Sequence, residues 1–212
     1  MPPLPKSLNR SEYIRVAVEF VEEQGLAKLT MRALGEKLGV DPTAVYRHFP
    51  SKEALIEAML DQLIAESAAI EPAGKSPRDR ILSTALDLRA IFHAHPQLST
   101  AFATSSGAYP SGLTLTKRLI AELRAIGLQN TDLVQMYQTI ETFIMGSTNF
   151  DGGGSSSSFE QRAQRYRVIN EPEFDAASSD SESVREISHH GFVVTLNLLI
   201  DESERIVAGY KA

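Results

Sequence analysis

The chain contains no cysteine among its 212 residues. It therefore has no disulfide framework, no thiol nucleophile and no zinc site with thiolate ligands. No apolar run approaches the roughly 18 residues that span a bilayer. The first residues, MPPLPK, also lack the apolar stretch of a secretory signal. We therefore expect a cytoplasmic protein without a membrane-spanning segment, a metal site or another cofactor.

An overall excess of basic charge is absent too, since the formal net charge is −6. Residues 26–52 nevertheless carry five basic and two acidic side chains, so their net charge is +3 and the rest of the chain carries −9. The distribution of charge decides which partners a surface attracts, and its sum matters less. A short basic segment in an acidic chain indicates a localised contact with a polyanion such as DNA.

Strand-like alternation is missing as well, and apolar residues recur at helical spacing along the chain, which predicts an all-α fold. Near the N-terminus Gly39 ends one short helix and Asp41 caps the next, whose first residue is Pro42. We expect an N-terminal three-helix domain with a helix-turn-helix over residues 1–55. A larger helical domain for ligand binding and dimerisation is expected over residues 56–212.

The helical pattern breaks at residues 151–181, which contain three consecutive glycines and many serines. This composition predicts a flexible insert with one short helix near 160–169. On either side of the insert, helices are predicted at 97–104, 110–126, 131–150 and about 183–209.

Two short helices joined by the turn 39–41 predict a helix-turn-helix, in which the second helix enters the major groove of DNA. If Val45 and Phe49 point inward, the 3.6-residue period sends Thr43 and Arg47 to the opposite side. An exposed arginine on a short amphipathic helix also occurs in proteins that do not bind DNA. The pattern alone therefore favours a DNA-reading helix without proving it.

Each of these side chains has its own capacity to bind DNA. Arg47 can donate two hydrogen bonds to guanine, Thr43 offers a hydroxyl, and Ala44 a methyl contact to thymine. Side chains nearer the edge of the surface are expected to bind phosphates and fix the register. These phosphate-binding candidates are Thr30, Arg32, Tyr46, His48 and Lys52.

The segments LTMRALGEKLGVD (29–41), TAVYRHF (43–49) and SKEAL (51–55) strongly resemble the TetR family of transcriptional repressors. The resemblance is specific over about residues 10–60 and looser beyond them. FIMG at 143–146, the polar insert and the apolar last helix are similar to the C-terminal plan of the tetracycline repressor. The resemblance implies a homodimer, not an enzyme, that represses transcription and is released from its DNA operator by a small molecule.

The last helix carries a nearly continuous apolar stretch at 192–200, with seven apolar residues among nine. One intramolecular face cannot bury all of them, so the helix either lies fully inside the domain or packs against another chain. The resemblance favours the second alternative, in which helices near 131–150 and 183–209 pair with their copies. Such a dimer would place two recognition helices roughly 34–36 Å apart on a palindrome.

The resemblance also places six residues on the helices that form the family's effector pocket, although apolar residues at this spacing also occur in ordinary cores. They are Leu88, Phe92, Phe102, Leu119, Tyr137 and Ile140. Glu141 is a further candidate, because a carboxylate on an apolar helix needs a cation or a hydrogen-bond donor. That partner would be an effector or an internal cation such as Arg89 or Arg124.

Phe102 stands where the tetracycline repressor has a metal-coordinating histidine, so the resemblance predicts an apolar or aromatic effector and not tetracycline. His93 and His95 are two residues apart and would not share a metal on one helix face. Two other functions stay open on the residues alone. One is an enzyme that uses Glu141 and the histidines, and the other is a DNA-binding regulator controlled by a protein partner through 151–181.

Overall fold

The computed structural model describes residues 8–104 and 109–210; residues 1–6, on which the expectation of no secretory signal rests, lie outside them. Within the described residues the chain forms eleven α-helices and no strand, which confirms the all-α fold. None of these helices is long and apolar enough to cross a bilayer. The helices are α1 (Arg10–Gln24), α2 (Met31–Leu38), α3 (Pro42–His48), α4 (Lys52–Ala69), α5 (Pro77–Ala94), α6 (Pro96–Thr104), α7 (Pro110–Ile126), α8 (Asn130–Phe150), α9 (Ser156–Arg167), α10 (Pro172–Ala177) and α11 (Ser181–Gly209).

Side-chain caps set the starts of the N-terminal helices. The side chains of Thr30, Asp41 and Ser51 each accept a hydrogen bond from a backbone N–H in the first turn of α2, α3 and α4, and the cap at Asp41 confirms the prediction. Helix α1 begins four residues before its apolar repeat, because Asn9 and Glu12 form a reciprocal capping box. Capping supplies partners for N–H groups that a helix start leaves unpaired.

The turn between α2 and α3 depends on two glycines. Gly39 has a φ of +68°, in the left-handed region that glycine enters without a steric penalty. A Cβ on Gly35 would lie 3.0 Å from the carbonyl oxygen of Val40 and 3.3 Å from the nitrogen of Pro42. Both positions therefore favour glycine, and they hold α3 close against α2.

Helices α4 and α6 connect the two ends of the molecule. Helix α4 packs against α1 on one side and against α5 and α7 on the other. Helix α6 contacts α1 as well as α5 and α8. A displacement in the C-terminal helices can thus reach the helix-turn-helix through two separate elements.

The segment 151–181 is more regular than its composition predicts. It contains a 3-10 turn at Gly152–Gly154, helix α9 and helix α10. The short helix predicted near 160–169 corresponds to α9, which begins four residues earlier than predicted, whereas α10 was not predicted. The earlier start arises because Ser155 caps α9, and Phe159 packs against α11 through Val184. Flexibility of the segment stays a prediction.

A buried ionic cluster ties this segment to the rest of the domain. Asp151 is 2% exposed and accepts hydrogen bonds from the guanidinium of Arg89, from Arg162 Nη1 at 3.0 Å and from the Ser188 hydroxyl at 2.7 Å. Both arginines are 5% exposed. Three helices, α5, α9 and α11, therefore meet at one carboxylate at the end of α8.

His93 lies at the edge of this cluster, with its Nε2 3.6 Å from Asp151 Oδ2. Burial and the charge of Arg89 lower the pKa of His93 from 6.5 to about 4, and Asp151 only partly opposes this shift. His93 is thus neutral at pH 7 and adds no positive charge to the two guanidinium groups.

Asp151→Asn tests the role of the cluster, because the change leaves two buried guanidinium groups without their carboxylate. We expect the free energy of unfolding to fall by about 3–5 kcal/mol, the usual effect of breaking a buried pair. Urea unfolding followed by circular dichroism at fixed protein concentration measures it. Glu160→Gln, on the exposed side of α9, is the matched control. Equal stability of the two variants would contradict this role.

Candidate DNA-reading surface and internal cavity

Helix α3 presents the orientation that its sequence predicts. Val45 is fully buried and Phe49 is 1% exposed, whereas Thr43, Tyr46 and Arg47 are exposed. Tyr46 exposes 53% of its surface although it is aromatic. The Arg47 guanidinium therefore points away from the core, as a base-reading side chain must.

The other candidate DNA-binding residues on and near α3 differ in how far their side chains are buried. Ala44 is half-buried, whereas Thr30 and Arg32 are exposed. Arg32 Nε lies 3.0 Å from Glu36 Oε1 in a solvent-exposed pair. Such pairs contribute little to stability, so Arg32 can leave Glu36 for a phosphate at small cost.

His48 and Lys52 are held by contacts within the domain. The His48 ring centroid lies 4.6 Å from that of Tyr13 on α1. Lys52 Nζ donates a hydrogen bond of 3.3 Å to the carbonyl oxygen of Leu26. Both side chains are half-buried, so they also fix the position of α3 and α4 relative to α1.

Arg10 was not among the predicted DNA-binding residues. Its guanidinium carbon lies 4.8 Å above the ring of Phe49, at the end of α3. The contact places another cation beside the helix-turn-helix. The sequence showed only an exposed basic residue in a first turn, and its closeness to Phe49 depends on how α1 packs on α3.

A cavity of about 570 Å³ lies among α5, α6, α7 and α8. Five of the seven predicted effector-binding residues line it: Leu88, Phe102, Leu119, Tyr137 and Glu141. Phe92 and Ile140 do not line it. Phe92 stacks on Phe102 with ring centroids 4.6 Å apart, and Ile140 is fully buried in the core. The six apolar and aromatic residues that the resemblance selected all lie on helices that border this cavity, but two of the six do not line it.

Glu141 has a local partner and not one of the cations proposed from sequence. The Tyr137 hydroxyl, one turn away, donates a hydrogen bond to Glu141 Oε1 and lies 3.1 Å from Thr116 Oγ1. Burial and the bond to Glu141 raise the pKa of Tyr137. Arg89 binds Asp151 and Arg124 is exposed, so the predicted ion pair with either of them is wrong.

The cationic groups of the cavity, which the sequence did not reveal, already have acceptors. Arg80 makes two hydrogen bonds to Glu122, of 2.8 and 2.7 Å. Arg118 donates to the carbonyl oxygens of Ala68 at 2.9 Å and Ile70 at 3.1 Å. These acceptors lie more than 40 residues away in sequence from their arginines, so no local pattern could predict them.

Two threonine hydroxyls that line the cavity lack a partner within the described residues. They are Thr84 Oγ1 on α5 and Thr148 Oγ1 on α8. Thr148 is 5% exposed. A buried polar group without a hydrogen bond is unusual in a folded protein, and these two hydroxyls can pair with a polar group of a molecule in the cavity.

Comparisons with known proteins agree with this architecture. Residues 14–59 match the family model described as bacterial regulatory proteins, tetR family. Residues 72–202 match the model described as tetracyclin repressor-like, C-terminal domain. The two matches cover the helix-turn-helix and the cavity-bearing helices respectively.

Individual relatives extend the comparison. An HTH-type transcriptional regulator of Saccharopolyspora erythraea is 26% identical over 142 residues, which is 67% of this chain and 60% of that relative. This chain thus spans about three fifths of that relative's length. A possible TetR family transcriptional regulator from Streptomyces coelicolor has the same fold, with a TM-score of 0.77 and 24% identity over 93% of this chain and 100% of that chain.

The Streptomyces coelicolor TetR family protein ActR, solved in complex with actinorhodin, also shares the fold. Its TM-score is 0.70 and its identity 19%, over 94% of this chain and 98% of that one. These structural similarities concern the fold, whereas the second family model alone matches well over half of this sequence. The chain belongs to the TetR family of DNA-binding transcriptional regulators, as its motifs predicted, and not to an enzyme family.

Proposed function

We propose that this regulator is a homodimeric repressor that binds a palindromic operator and releases it when a small, largely apolar molecule enters the cavity. The outward orientation of Arg47 on α3 is the observation that supports operator reading most directly. The sequence of Val45, Arg47 and Phe49 fixes this orientation, because the two apolar residues are buried on the side opposite the arginine.

The outer face of α11 supports the dimer. Its inner face buries Phe192 and Leu196, whereas three apolar side chains along one outer stripe stay exposed by 41–60%: Ile187, Val194 and Leu198. Gly191 lies within this stripe, and a Cβ added there would meet no atom within 4 Å. An apolar stripe with a glycine allows another helix to approach closely. A second copy of α11 would bury it.

Helix α6 links the cavity to the DNA-reading domain. Phe102 of α6 lines the cavity. At the other end of α6, the carboxylate of Glu22 from α1 lies beside the backbone N–H groups of Gln97 and Leu98. Burial raises the pKa of Glu22, and the nearby His95, with Nδ1 3.8 Å from Glu22 Oε1, partly opposes this rise. A ligand that displaces Phe102 would therefore act on α1.

Helix α4 provides the second link. Asp61 accepts a hydrogen bond of 2.9 Å from the backbone N–H of Ser111 on α7. Arg118 of α7 donates hydrogen bonds to carbonyl oxygens at the C-terminal end of α4, including that of Ala68. Movement of α7 around a ligand would shift α4 and hence the distance between the two copies of α3.

Release of DNA then follows from linkage. An effector that prefers one spacing of the two recognition helices weakens operator binding by its differential affinity for that spacing. A coupling free energy of about 1–3 kcal/mol, or roughly 5–150-fold in affinity, makes a useful switch.

Arg47→Ala tests operator reading, with the operator first selected from random duplex DNA by the wild-type protein. We expect a loss of about 1–3 kcal/mol per base contact and a relaxed preference at one position of each half-site. Titration of labelled duplexes by fluorescence anisotropy measures both effects. Arg32→Ala is the matched control, since loss of a phosphate contact weakens binding to all sequences and lowers the salt dependence. Unchanged base preference in Arg47→Ala would refute operator reading by this residue.

Leu198→Glu tests the proposed dimer, because it places a charge in the middle of the apolar stripe. We expect sedimentation equilibrium to show a dissociation constant at least about tenfold weaker, or monomers, since an uncompensated charge in an interface is costly. Ile70→Glu, at a similarly exposed apolar residue after α4, should leave the association unchanged. A Leu198→Glu protein that remains a dimer as tight as the wild type would show that this stripe is not the interface.

A further inference from the structure

The charged side chains that line the cavity differ in their ion-pair and hydrogen-bond partners. Arg80 and Glu122 neutralise each other, and Arg118 is engaged by two backbone carbonyls. Glu141 has no cation beside it in the described part of the chain and accepts its hydrogen bond from Tyr137 alone. Among the described residues that line the cavity, Glu141 is therefore a carboxylate without a neighbouring cation, whereas both arginines already donate hydrogen bonds to other acceptors.

Glu141 is half-buried and has one hydroxyl donor, so its carboxylate can accept further hydrogen bonds from a ligand in the cavity. An ionised carboxylate can accept about four hydrogen bonds. Its desolvation is costly unless donors or a positive charge replace the lost water. Leu119 and Leu88 contribute apolar wall to the same cavity and offer no donor. A ligand that brings its own N–H donors and positive charge gains most from Glu141.

Thr148 marks the second polar position of the cavity. It lies seven residues after Glu141 on α8, about 10 Å farther along the helix axis and on the same side. Met145 lines the cavity between them. Because the Thr148 hydroxyl is buried without a partner, the cavity contains a second hydrogen-bonding group at the other end of an apolar stretch.

We propose that the effector is an organic cation with an apolar body, whose protonated amine binds the Glu141 carboxylate and whose far end reaches Thr148. The inference rests on the proposed function, because it takes the cavity as the effector site. Beyond the proposed function, the inference states that the site prefers a positively charged effector. An anionic ligand would be repelled by Glu141. Because Arg80 and Arg118 already donate to Glu122 and to backbone carbonyls, we expect the cavity to bind a cation in preference to an anion.

The charge preference can be measured with para-substituted biphenyls that carry an aminomethyl, hydroxymethyl, methyl or carboxylate group. Isothermal titration calorimetry with the full chain at pH 7 gives the four dissociation constants. We expect the ammonium probe to bind about tenfold or more tighter than the carboxylate probe, the scale of one charge-assisted hydrogen bond. The hydroxymethyl probe should fall between them.

Glu141→Gln should abolish the ammonium preference and leave the methyl probe within about twofold, because the amide keeps the size and loses the charge. Glu160→Gln, which removes an exposed charge from α9, should keep the wild-type order. Tyr137→Phe is a second variant with the opposite expectation. It removes the internal donor, so the preference for the ammonium probe over the methyl probe should increase.

A carboxylate probe that binds the wild-type protein as tightly as the ammonium probe would overturn the inference, as would an unchanged order in Glu141→Gln. In either case, binding of the methyl probe with release of operator DNA would leave the proposed function intact. Failure of all four probes to bind would contradict both the charge preference and the use of this cavity. The two proposals can thus fail separately.

Discussion

Burial of Val45 and Phe49 is the constraint on which the functional interpretation depends. Helix α3 has seven residues, too few to be stable alone, so its conformation comes from packing and from its ends. Asp41 caps its first turn, and the apolar side chains are enclosed by α1 and α2. With both anchors on one side, the Arg47 guanidinium has only the outer side to occupy. Close packing thereby fixes the orientation of a short helix and of the arginine that it presents.

Packing between helices also connects the cavity to the DNA-reading domain. The cavity and the reading helix share no side chain, but α4 and α6 each line the cavity and contact α1 of the DNA-reading domain. Helix α6 carries Phe102 into the cavity and meets Glu22 of α1 at its start. Packed helices move as units, so a ligand needs only to prefer one arrangement of them. The buried cluster around Asp151 holds the opposite side of the domain together, because α5, α9 and α11 all supply its donors.

Features that depend on neighbouring residues could be predicted from the sequence. Caps at Thr30 and Ser51 and the inward side of α3 follow from short-range rules. The start of α9 and the whole of α10 were not predicted, since the serine-rich composition does not show that Phe159 packs on α11. The pair of Arg80 and Glu122 joins residues 42 positions apart. For Glu141 the sequence left an effector and a distant cation as alternatives, and it did not indicate the tyrosine hydroxyl one turn away that donates to it.

A footprint of guanine N7 methylation on the bound operator tests the central claim most directly, because N7 is exposed only in the major groove. The account predicts two clusters of protected N7 atoms on one face of the duplex. Their centres should lie about one helical turn apart, since each copy of α3 occupies one half-site. Full N7 reactivity throughout the bound site, or protection confined to a single half-site, would contradict a two-fold pair of α3 helices reading the major groove.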